Sequence, residues 1–314
     1  MTAPKNFKKT LVTGGAGFIG SHLVDQLLAM GEDVTVIDNL SSGHRENLAS
    51  QARLIVADIL DAKVLEREME GVSSVFHLAA MVSVQDCIND WIGGTRNNLL
   101  GSALVFDAAR RHGLAPVVYA SSAAVYGDRS GEVCYEDALP APISPYGADK
   151  LGAEHHARAM AVIHGLPSVG LRFFNAYGPR QDPSSPYAGV ISKFCSNRKA
   201  DQPHTVFGDG YQSRDFVYVS DIVDALLASR EHVSTTGGAL IFNVCTGKPT
   251  SLLDLARQID ATAGRGVTKI DHEPTRAGDI ATSLGCPKRA QSDLGLSAKT
   301  TLGDGLAELW ASLD

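Results

Sequence analysis

The chain has 314 residues, a formal net charge of −7 at pH 7, 44% hydrophobic residues and 20% charged residues. This length fits one large domain or two coupled domains, and the composition fits a packed core rather than a disordered chain. The sequence shows no basic stripe of the kind that nucleic-acid-binding proteins carry, no apolar run of the roughly 20 residues that span a membrane, and no apolar stretch of signal-peptide length at its start. The five cysteines are widely spaced and form no C-x-x-C pair, which is typical of reduced thiols in a cytoplasmic protein.

Short apolar strands alternate with amphipathic helices along the first part of the chain. An apolar run at 10–13 stops at glycines, and a helical pattern follows from Ser21. Further strands are predicted at 33–38, 53–58, 73–80, 116–127 and 166–178, and a further helix at 101–113. Nearly continuous apolar strands separated by helices indicate βαβ units and a parallel sheet covered on both faces. We therefore predict an α/β fold with a Rossmann-like, doubly wound parallel sheet.

The composition of the sequence changes near residue 177, and a loop rich in Pro and Ser follows at 179–189. The remainder mixes short strands with helices. We predict a dinucleotide-binding Rossmann domain over 1–176 and a smaller, mixed α/β C-terminal lobe over 177–314. Periodicity does not decide whether the chain later returns to the first domain, and the segment that could do so lies within about 213–245.

A glycine-rich loop, TGGAGFIG at 13–20, connects the first strand to the first helix. Its glycines permit a tight turn, a close approach of the backbone to a pyrophosphate, and close packing of helix on strand. Asp38 ends the second strand, where a carboxylate accepts hydrogen bonds from ribose hydroxyls and repels a 2′-phosphate, so NAD is favoured over NADP. The alternative role of Asp38 is to cap the turn that follows. Asp58 and Ile59, after the third strand, could approach the adenine, although Asp58 is also an ordinary strand-end acid.

The segment SPYGADK at 144–150 places a phenol and an ammonium group one helical turn apart. A lysine at that distance is expected to favour the phenolate and to lower the pKa of Tyr146 from about 10, so that the phenol exchanges a proton near neutral pH. Taken alone, the pair could simply share a helix face with a solvated Lys150. Ser122, however, lies at the carboxyl end of the preceding strand, where ligands sit in doubly wound sheets. Together the three residues predict a site in which Ser122 orients a substrate hydroxyl, Tyr146 takes its proton and a nicotinamide takes the hydride.

Motifs spread over almost the whole chain resemble those of the extended short-chain dehydrogenase/reductase superfamily. They are TGGAGFIG with Asp38, HLAA (77–80), SSAAVYG (121–127), YGADK (146–150), LRFFNAYGPR (171–180), RDFVYVSD (214–221) and RAGD (276–279). Within that superfamily the sequence is most similar to the NAD-dependent UDP-galactose 4-epimerases. The resemblance implies that bound NAD oxidises C4 of a UDP-hexose, that the 4-keto sugar turns over, and that the same hydride returns to the opposite face. It also implies a cytoplasmic homodimer built from sheet-flanking helices.

The same resemblance assigns residues to roles in catalysis, cofactor binding and substrate binding. The catalytic residues are Tyr146, Lys150 and Ser122. The cofactor-binding residues are Gly14, Gly17, Phe18, Ile19, Gly20, Asp38, Asn39, Asp58, Ile59, Leu78, Ala79, Ala80, Asn98, Ser121, Tyr146, Lys150 and Phe173. The substrate-binding residues are Ser122, Asn175, Tyr187, Val190, Phe207, Arg214, Arg276, Asp279 and Ser283. Arg214 and Arg276 would grip the diphosphate, for which bidentate arginines are suited, although each alone could equally be a surface ion pair.

Departures from the family pattern narrow the range of reactions that the resemblance implies. Ala124 stands where many members carry Ser or Thr, so one hydrogen bond to the sugar is expected to be absent. SSAAVYG also lacks the Asp-Glu pair of sugar-nucleotide dehydratases and the Glu of UDP-glucuronate decarboxylases. The family's pattern puts a substrate-gating residue at Ser283, where a tyrosine would confine the pocket to plain hexoses and a serine leaves room for a 2-acetamido group. We therefore expect UDP-GlcNAc and UDP-GalNAc to be accepted alongside UDP-glucose and UDP-galactose.

Two alternatives stay open. One is a UDP-uronate 4-epimerase or another sugar-nucleotide-modifying enzyme of the superfamily, and the other is a non-catalytic NAD-binding regulatory protein. No metal is predicted, because His155 and His156 have no third ligand at a sensible spacing. His77 is expected to be structural, and Met81 and Trp91 are expected to pack in the core.

Overall fold

The computed structural model describes residues 8–182, 189–264, 266–275 and 280–313. The strands are β1 (Lys9–Thr13), β2 (Asp33–Asp38), β3 (Arg53–Val56), β4 (Ser74–His77), β5 (Val117–Ser122), β6 (Ser168–Phe173), β7 (Asn175–Tyr177), β8 (His204–Phe207), β9 (Ser213–Tyr218), β10 (Ala239–Val244), β11 (Pro249–Ser251), β12 (Ile270–Glu273) and β13 (Thr282–Ser283). The helices are α1 (Phe18–Ala29), α2 (Ala62–Met69), α3 (Val84–Asn89), α4 (Trp91–Thr95), α5 (Gly101–Arg111), α6 (Pro145–His164), α7 (Val190–Lys199), α8 (Val219–Thr236), α9 (Leu252–Thr262), α10 (Lys288–Leu294) and α11 (Leu302–Ala311).

A parallel sheet forms the larger part of the protein, with the strand order β10-β6-β5-β4-β1-β2-β3. Neighbouring residues of one strand lie in different cores: Val12 packs in the core that includes Val36, and Leu11 packs in the core that includes Ile37. Burial on both faces is the reason that these strands are nearly continuous apolar runs. The predicted Rossmann-like, doubly wound sheet is confirmed.

The chain comes back to this sheet after it has begun the second lobe. β10 pairs in parallel with β6, from Ala239 opposite Ser168 to Val244 opposite Phe173. α8 shares the buried core that α1 covers. The sheet therefore includes residues of the segment of about 213–245 that the sequence left undecided.

The smaller lobe is a mixed α/β structure. β7, β11 and β13 pair with β9, and β8 pairs with β12. Its core lies between these strands and helices α7, α9 and α11, and includes Tyr177, Phe194, Phe216, Leu255 and Leu306.

Some predicted boundaries are wrong. The segment 166–178 is not one strand, because β6 ends at Phe173 and β7 pairs with β9 in the other sheet. Both halves are apolar, so periodicity does not reveal the change of partner. The first helix begins at Phe18 rather than Ser21, and the strand 116–127 ends at Ser122, where a 3₁₀ turn over Ala123–Tyr126 begins.

The prediction that Trp91 packs in the core is also wrong. Helices α4 and α5 are joined by a π-helical turn over Arg96–Leu100. Trp91 is 58% exposed and Ile92 is 70% exposed. α4 turns this apolar face away from the sheet.

Two further expectations concern cysteines and membrane spans. The five cysteines, all among the described residues, are buried and form no disulfide. Within the part of the chain that the structure describes, no helix combines the length and the apolar character needed to cross a membrane.

Candidate active site

The glycine-rich loop between β1 and α1 leaves no room for side chains at two positions. Gly14 has φ +72°, and a Cβ there would lie 2.5 Å from the backbone nitrogen of Ala79. A Cβ on Gly20 would lie 2.1 Å from the carbonyl oxygen of Gly14. α1 begins at Phe18 after Gly17, and no side chain among the described residues caps it. Backbone N–H groups at this end of α1, those of Phe18, Ile19 and Gly20, are therefore suited to bind a pyrophosphate.

Asp38 ends β2 and is 7% exposed. Its Oδ2 accepts a hydrogen bond of 2.9 Å from Ala16 N, and its Oδ1 accepts one of 2.9 Å from Leu40 N. The second bond is the turn cap that the sequence offered as an alternative role. Because each carboxylate oxygen can accept more than one hydrogen bond, the cap does not prevent Asp38 from binding ribose hydroxyls.

The ends of β2 and β3 lie side by side. Asn39 Nδ2 donates a hydrogen bond of 3.3 Å to Asp58 Oδ2. The side chain of Ile59 is 3% exposed and packs in the core that includes Leu65 and Val105. Any contact of Ile59 with an adenine would therefore come from its backbone.

Leu78, Ala79 and Ala80 follow β4 and run beside the glycine loop. Leu78 N donates to Thr13 O at 3.0 Å. Asn98, predicted to line the cofactor, is 1% exposed, and its Oδ1 accepts a hydrogen bond of 2.8 Å from Met81 N. Its amide is thus directed at the loop after β4, which it holds in place.

His77 lies at the end of β4 and has a structural environment, as predicted. Its ring nitrogens lie 2.7 Å from Thr13 Oγ1 and 2.9 Å from Ser102 Oγ. Burial lowers the pKa of His77 to about 3, with a smaller contribution from the charge of Lys150. The imidazole is therefore neutral at physiological pH.

The start of α6 places Tyr146 at the carboxyl end of β5. Ser144 is the N-cap, accepting a hydrogen bond of 3.1 Å from Gly147 N, and Pro145 occupies the first helical turn. Lys150, one turn later, is 3% exposed, and its Nζ lies 5.7 Å from the ring centroid of Tyr146. The hydroxyl of Ser122 interacts with the phenol of Tyr146. The structure thus brings the three predicted catalytic residues together.

The pKa of Tyr146 differs from the expectation. Burial raises it to about 12, and the hydrogen-bonding interaction with Ser122 lowers it by a smaller amount. Burial also lowers the pKa of Lys150 to about 8. The prediction that Lys150 lowers the pKa of Tyr146 is wrong, because burial of the phenol outweighs the interactions that lower its pKa. Lys150 Nζ donates a hydrogen bond to Ala120 O, at 2.9 Å. A further positive charge at the site is required to favour the phenolate.

Ser121 connects β5 to α6. Its hydroxyl donates a hydrogen bond of 2.6 Å to Glu154 Oε1, and Glu154 also forms a buried ion pair with Arg172. The side chain of Ser121 is therefore bonded to α6, and Phe173 is half-buried at the end of β6. Sequence reasoning missed Glu154, although its position four residues after Lys150 was an available signal.

The predicted substrate-binding residues of the described chain lie mainly on the sheet around β9. Arg214 is opposite Ser283 in β13, and Asn175 in β7 is opposite Phe216. Ser283 is 7% exposed. Phe207 is half-buried at the end of β8, and Val190 is half-buried at the start of α7. Tyr187, Arg276 and Asp279 lie outside the described residues.

Asp215, which sequence reasoning missed, holds β9 to the loop after β10. It is fully buried. Its Oδ1 accepts hydrogen bonds of 2.8 and 2.6 Å from the backbone nitrogen and hydroxyl of Thr246, and its Oδ2 accepts one of 2.8 Å from Gly247 N. It thereby fixes the strand that carries Arg214 against the larger sheet.

These observations define a class of protein. A Rossmann sheet, a glycine loop at an uncapped helix and a Ser-Tyr-Lys trio at the strand ends are the features of a dinucleotide-binding α/β protein equipped for hydride and proton transfer. Among the residues that the structure describes, no group of three or more His, Cys, Asp or Glu residues is placed to hold a metal ion, and His155 and His156 are exposed on α6.

Comparison with known proteins agrees with this class. Residues 10–245 match the NAD dependent epimerase/dehydratase family. A UDP-glucose 4-epimerase of Mycolicibacterium smegmatis is 36% identical over 307 residues, which cover 96% of each chain. The crystal structure of the Thermotoga maritima UDP-glucose 4-epimerase with UDP-glucose has a TM-score of 0.92 at 34% identity, covering 97% of this chain and 98% of that one. A UDP-N-acetylglucosamine 4-epimerase from Methanobrevibacter ruminantium, in complex with UDP-N-acetylmuramic acid, has a TM-score of 0.92 at 34% identity, covering 98% and 99%.

The chain belongs to the NAD dependent epimerase/dehydratase family. The predicted resemblance is confirmed, and so is the predicted cofactor, NAD. The glycine loop, the uncapped start of α1 and Asp38 fit this cofactor, since they offer N–H donors for its pyrophosphate and a carboxylate for its ribose.

Proposed function

We propose that this protein is an NAD-dependent UDP-sugar 4-epimerase, which inverts the configuration at C4 of a UDP-hexose. The observation that carries the proposal is the meeting of Ser122, Tyr146 and Lys150 at the carboxyl end of β5, next to the glycine loop. The similarity to UDP-glucose 4-epimerases over almost the full length of both chains supports it.

The proposed mechanism assigns one task to each residue of the trio. Ser122 holds the O4 hydroxyl of the sugar against the phenol, and Tyr146 removes the O4 proton and later returns it. Lys150 binds the nicotinamide ribose and contributes a positive charge. When bound, NAD supplies an acceptor that takes the C4 hydrogen as hydride and returns it to the opposite face, and its positive charge favours the phenolate of Tyr146.

The turn after β5 favours epimerisation over elimination or decarboxylation. Its sequence, Ala123–Tyr126, contains no carboxylate. Removal of water or carbon dioxide from the sugar after oxidation at C4 needs an acid or base beside the neighbouring carbons. A 4-keto sugar held at this turn can regain its hydride at C4 and its proton at O4.

We further propose that the substrates include the acetamido sugars UDP-GlcNAc and UDP-GalNAc as well as UDP-glucose and UDP-galactose. Ser283 lies opposite Arg214, which we propose as a diphosphate ligand, and its side chain is small. The Methanobrevibacter ruminantium relative is a UDP-N-acetylglucosamine 4-epimerase. Both observations favour a pocket with room at C2.

One experiment tests the substrate and the reaction together. Nucleotide released by denaturing the purified protein is identified by mass spectrometry, and UDP-glucose, UDP-galactose, UDP-GlcNAc, UDP-GalNAc and UDP-glucuronate are each assayed for C4 inversion. We expect NAD and inversion of the four neutral sugars. Inversion of UDP-glucuronate alone would replace this proposal by a uronate epimerase, and bound NAD without turnover would favour a regulatory protein.

We also propose a homodimer that forms through the exposed face of α3 and α4. This face presents Ile88, Trp91 and Ile92, which are 45%, 58% and 70% exposed. Apolar surface concentrated on neighbouring helices is typical of a protein–protein interface. We expect Ile92→Glu to convert a dimer into a monomer in light-scattering chromatography, and Leu139→Glu, at an exposed loop position, to leave the dimer intact.

A further inference from the structure

We propose that Glu154 is a positioning residue for the reaction proposed above, on which this inference rests. Its carboxylate fixes α6 against β5 and β6, and thereby sets the position of Tyr146 relative to Ser122. The hydrogen bonds of Glu154 go to Ser121 and Arg172 and not to the phenol, so Glu154 acts through the placement of the helix.

Tyr146, Lys150 and Glu154 follow one another at intervals of four residues, so they lie along one side of α6. Their side chains contact three consecutive residues of β5. Lys150 Nζ donates to Ala120 O at 2.9 Å, and Glu154 Oε1 accepts from Ser121 Oγ at 2.6 Å. The third contact of the series is the interaction of Tyr146 with the hydroxyl of the next β5 residue.

Glu154 also joins α6 to β6. Arg172, which lies opposite Ser121 in the sheet, donates to Glu154 Oε1 from Nε at 2.9 Å and to Oε2 from Nη2 at 2.7 Å. Arg172 is itself held by the ring of Tyr126, 4.7 Å from its guanidinium carbon, and by Glu136 O at 3.2 Å. A carboxylate that accepts three hydrogen bonds in a buried setting defines one position for its helix.

A second buried pair with the same chemistry lies near the amino ends of the strands, at the start of β1. Glu32 Oε2 accepts from Thr10 Oγ1 at 2.5 Å, and both oxygens accept from Arg230, at 2.9 Å each. Arg230 lies over the ring of Phe76, 5.4 Å from its centroid. Thr10 is near the start of β1, whereas Ser121 is near the end of β5. Glu32 is therefore a matched control, alike in burial and bonding but remote from Tyr146.

The test compares Glu154→Gln with Glu32→Gln in the full-length, NAD-loaded protein. Each substitution removes the negative charge of a buried carboxylate that is paired with an arginine, so both variants should lose thermal stability; Glu32→Gln should lose less, because Arg230 also lies 3.5 Å from a carboxylate oxygen of Glu231. We expect Glu154→Gln to lower kcat about tenfold to a hundredfold while KM for UDP-galactose changes less than about twofold. Glu32→Gln should keep kcat within about twofold of the unsubstituted protein. Equal kcat values in the two variants would overturn the proposal.

A second measurement does not depend on turnover. NMR of isotope-labelled tyrosine, with the Tyr146 signal assigned from Tyr146→Phe, reports the surroundings of the phenol. We expect this signal to shift in Glu154→Gln and to stay in place in Glu32→Gln, and a signal that moves in neither would refute the positioning role. If the unsubstituted protein inverts no UDP-sugar, the proposed function fails, while this signal still decides the role of Glu154.

Ser121→Ala provides a milder variant in case Glu154→Gln does not fold. It removes the link from Glu154 to β5 and keeps the ion pair with Arg172. We expect a smaller loss of kcat and a smaller shift of the Tyr146 signal in the same direction. An unchanged kcat together with an unchanged signal in Ser121→Ala would then overturn the proposal.

Discussion

The ammonium group of Lys150 is bonded to the backbone carbonyl oxygen of Ala120 rather than to the phenol oxygen of Tyr146. The bond anchors a side chain that is only 3% exposed. A buried charge with one neutral acceptor is costly, since burial removes its hydration. The protein without NAD therefore carries a charge that destabilises it.

The first prediction concerns the pH dependence of this cost. Burial lowers the pKa of Lys150 to about 8 from its ordinary 10.5, so between these values the unfolded chain holds a proton that the folded chain has released. The stability of the NAD-free protein with respect to this group therefore rises as the pH increases through that window. We expect the stabilisation produced by Lys150→Met to be larger near pH 7 than near pH 10 by on the order of 2 kcal/mol. Urea denaturation of both proteins at the two pH values measures it, and a pH-independent difference would contradict the assignment.

The second prediction separates the catalytic tyrosine from a structural one. Tyr146→Phe should lower kcat about a hundredfold or more, because the proton of the sugar hydroxyl loses its acceptor. Bound NAD and the melting temperature should change little. Tyr126→Phe is the control, since the Tyr126 hydroxyl donates to Asn243 Oδ1 at 2.6 Å within the core. That variant should lose about 1 kcal/mol of stability and retain turnover. Full activity of Tyr146→Phe would exclude the mechanism.

The third prediction concerns the choice between NAD and NADP. Asp38→Asn keeps an acceptor for the hydrogen bond from Leu40 N but removes the negative charge that repels a 2′-phosphate. We expect the preference for NAD over NADP to fall about tenfold or more, a change of about 1.4 kcal/mol in relative binding free energy. Calorimetry with the cofactor-stripped protein gives both dissociation constants. Asp58→Asn, on the next strand end, should leave the preference unchanged, and an equal effect of the two substitutions would speak against the role of Asp38.

The fourth prediction concerns the width of the sugar pocket. Ser283→Tyr should abolish turnover of UDP-GlcNAc and UDP-GalNAc while UDP-glucose and UDP-galactose continue to react, because the larger side chain would occupy the space of the acetamido group. Ser283→Ala controls for the loss of the hydroxyl and should accept all four sugars. Steady-state assays with each substrate decide the matter. Equal loss of both substrate classes in Ser283→Tyr would refute the gating role.

The fold could be predicted from local features of the sequence, and the exceptions have a physical reason. Strands buried on both faces are continuous apolar runs, and the glycine loop has its own signature between β1 and α1. The split of 166–178 into β6 and β7 could not be predicted, because pairing partners depend on residues far away in sequence. The exposure of Trp91 likewise depends on how α4 is rotated, which no local pattern records.

The site was predictable to the extent that its residues follow strand ends. Ser122 ends β5, Tyr146 and Lys150 lie on the next long helix, α6, and the structure brings the three residues together. Glu154, Arg172 and Asp215 are buried charged residues whose partners come from other elements, so their hydrogen-bond partners could be assigned only from the assembled structure. The direction of the pKa of Tyr146 also required the structure, because the extent to which the phenol is buried determines it.

The pairing of β10 with β6 has a consequence for how the protein is made. A nascent chain that has been synthesised only as far as β6 has an open edge on that strand and lacks α8, which covers part of the core beside α1. The large sheet cannot be completed until residue 244 has emerged from the ribosome, by which time β7, α7, β8 and β9 of the smaller lobe have also been synthesised. Such an unpaired edge is prone to intermolecular association, so the growing chain is exposed to this risk until β10 has paired with β6.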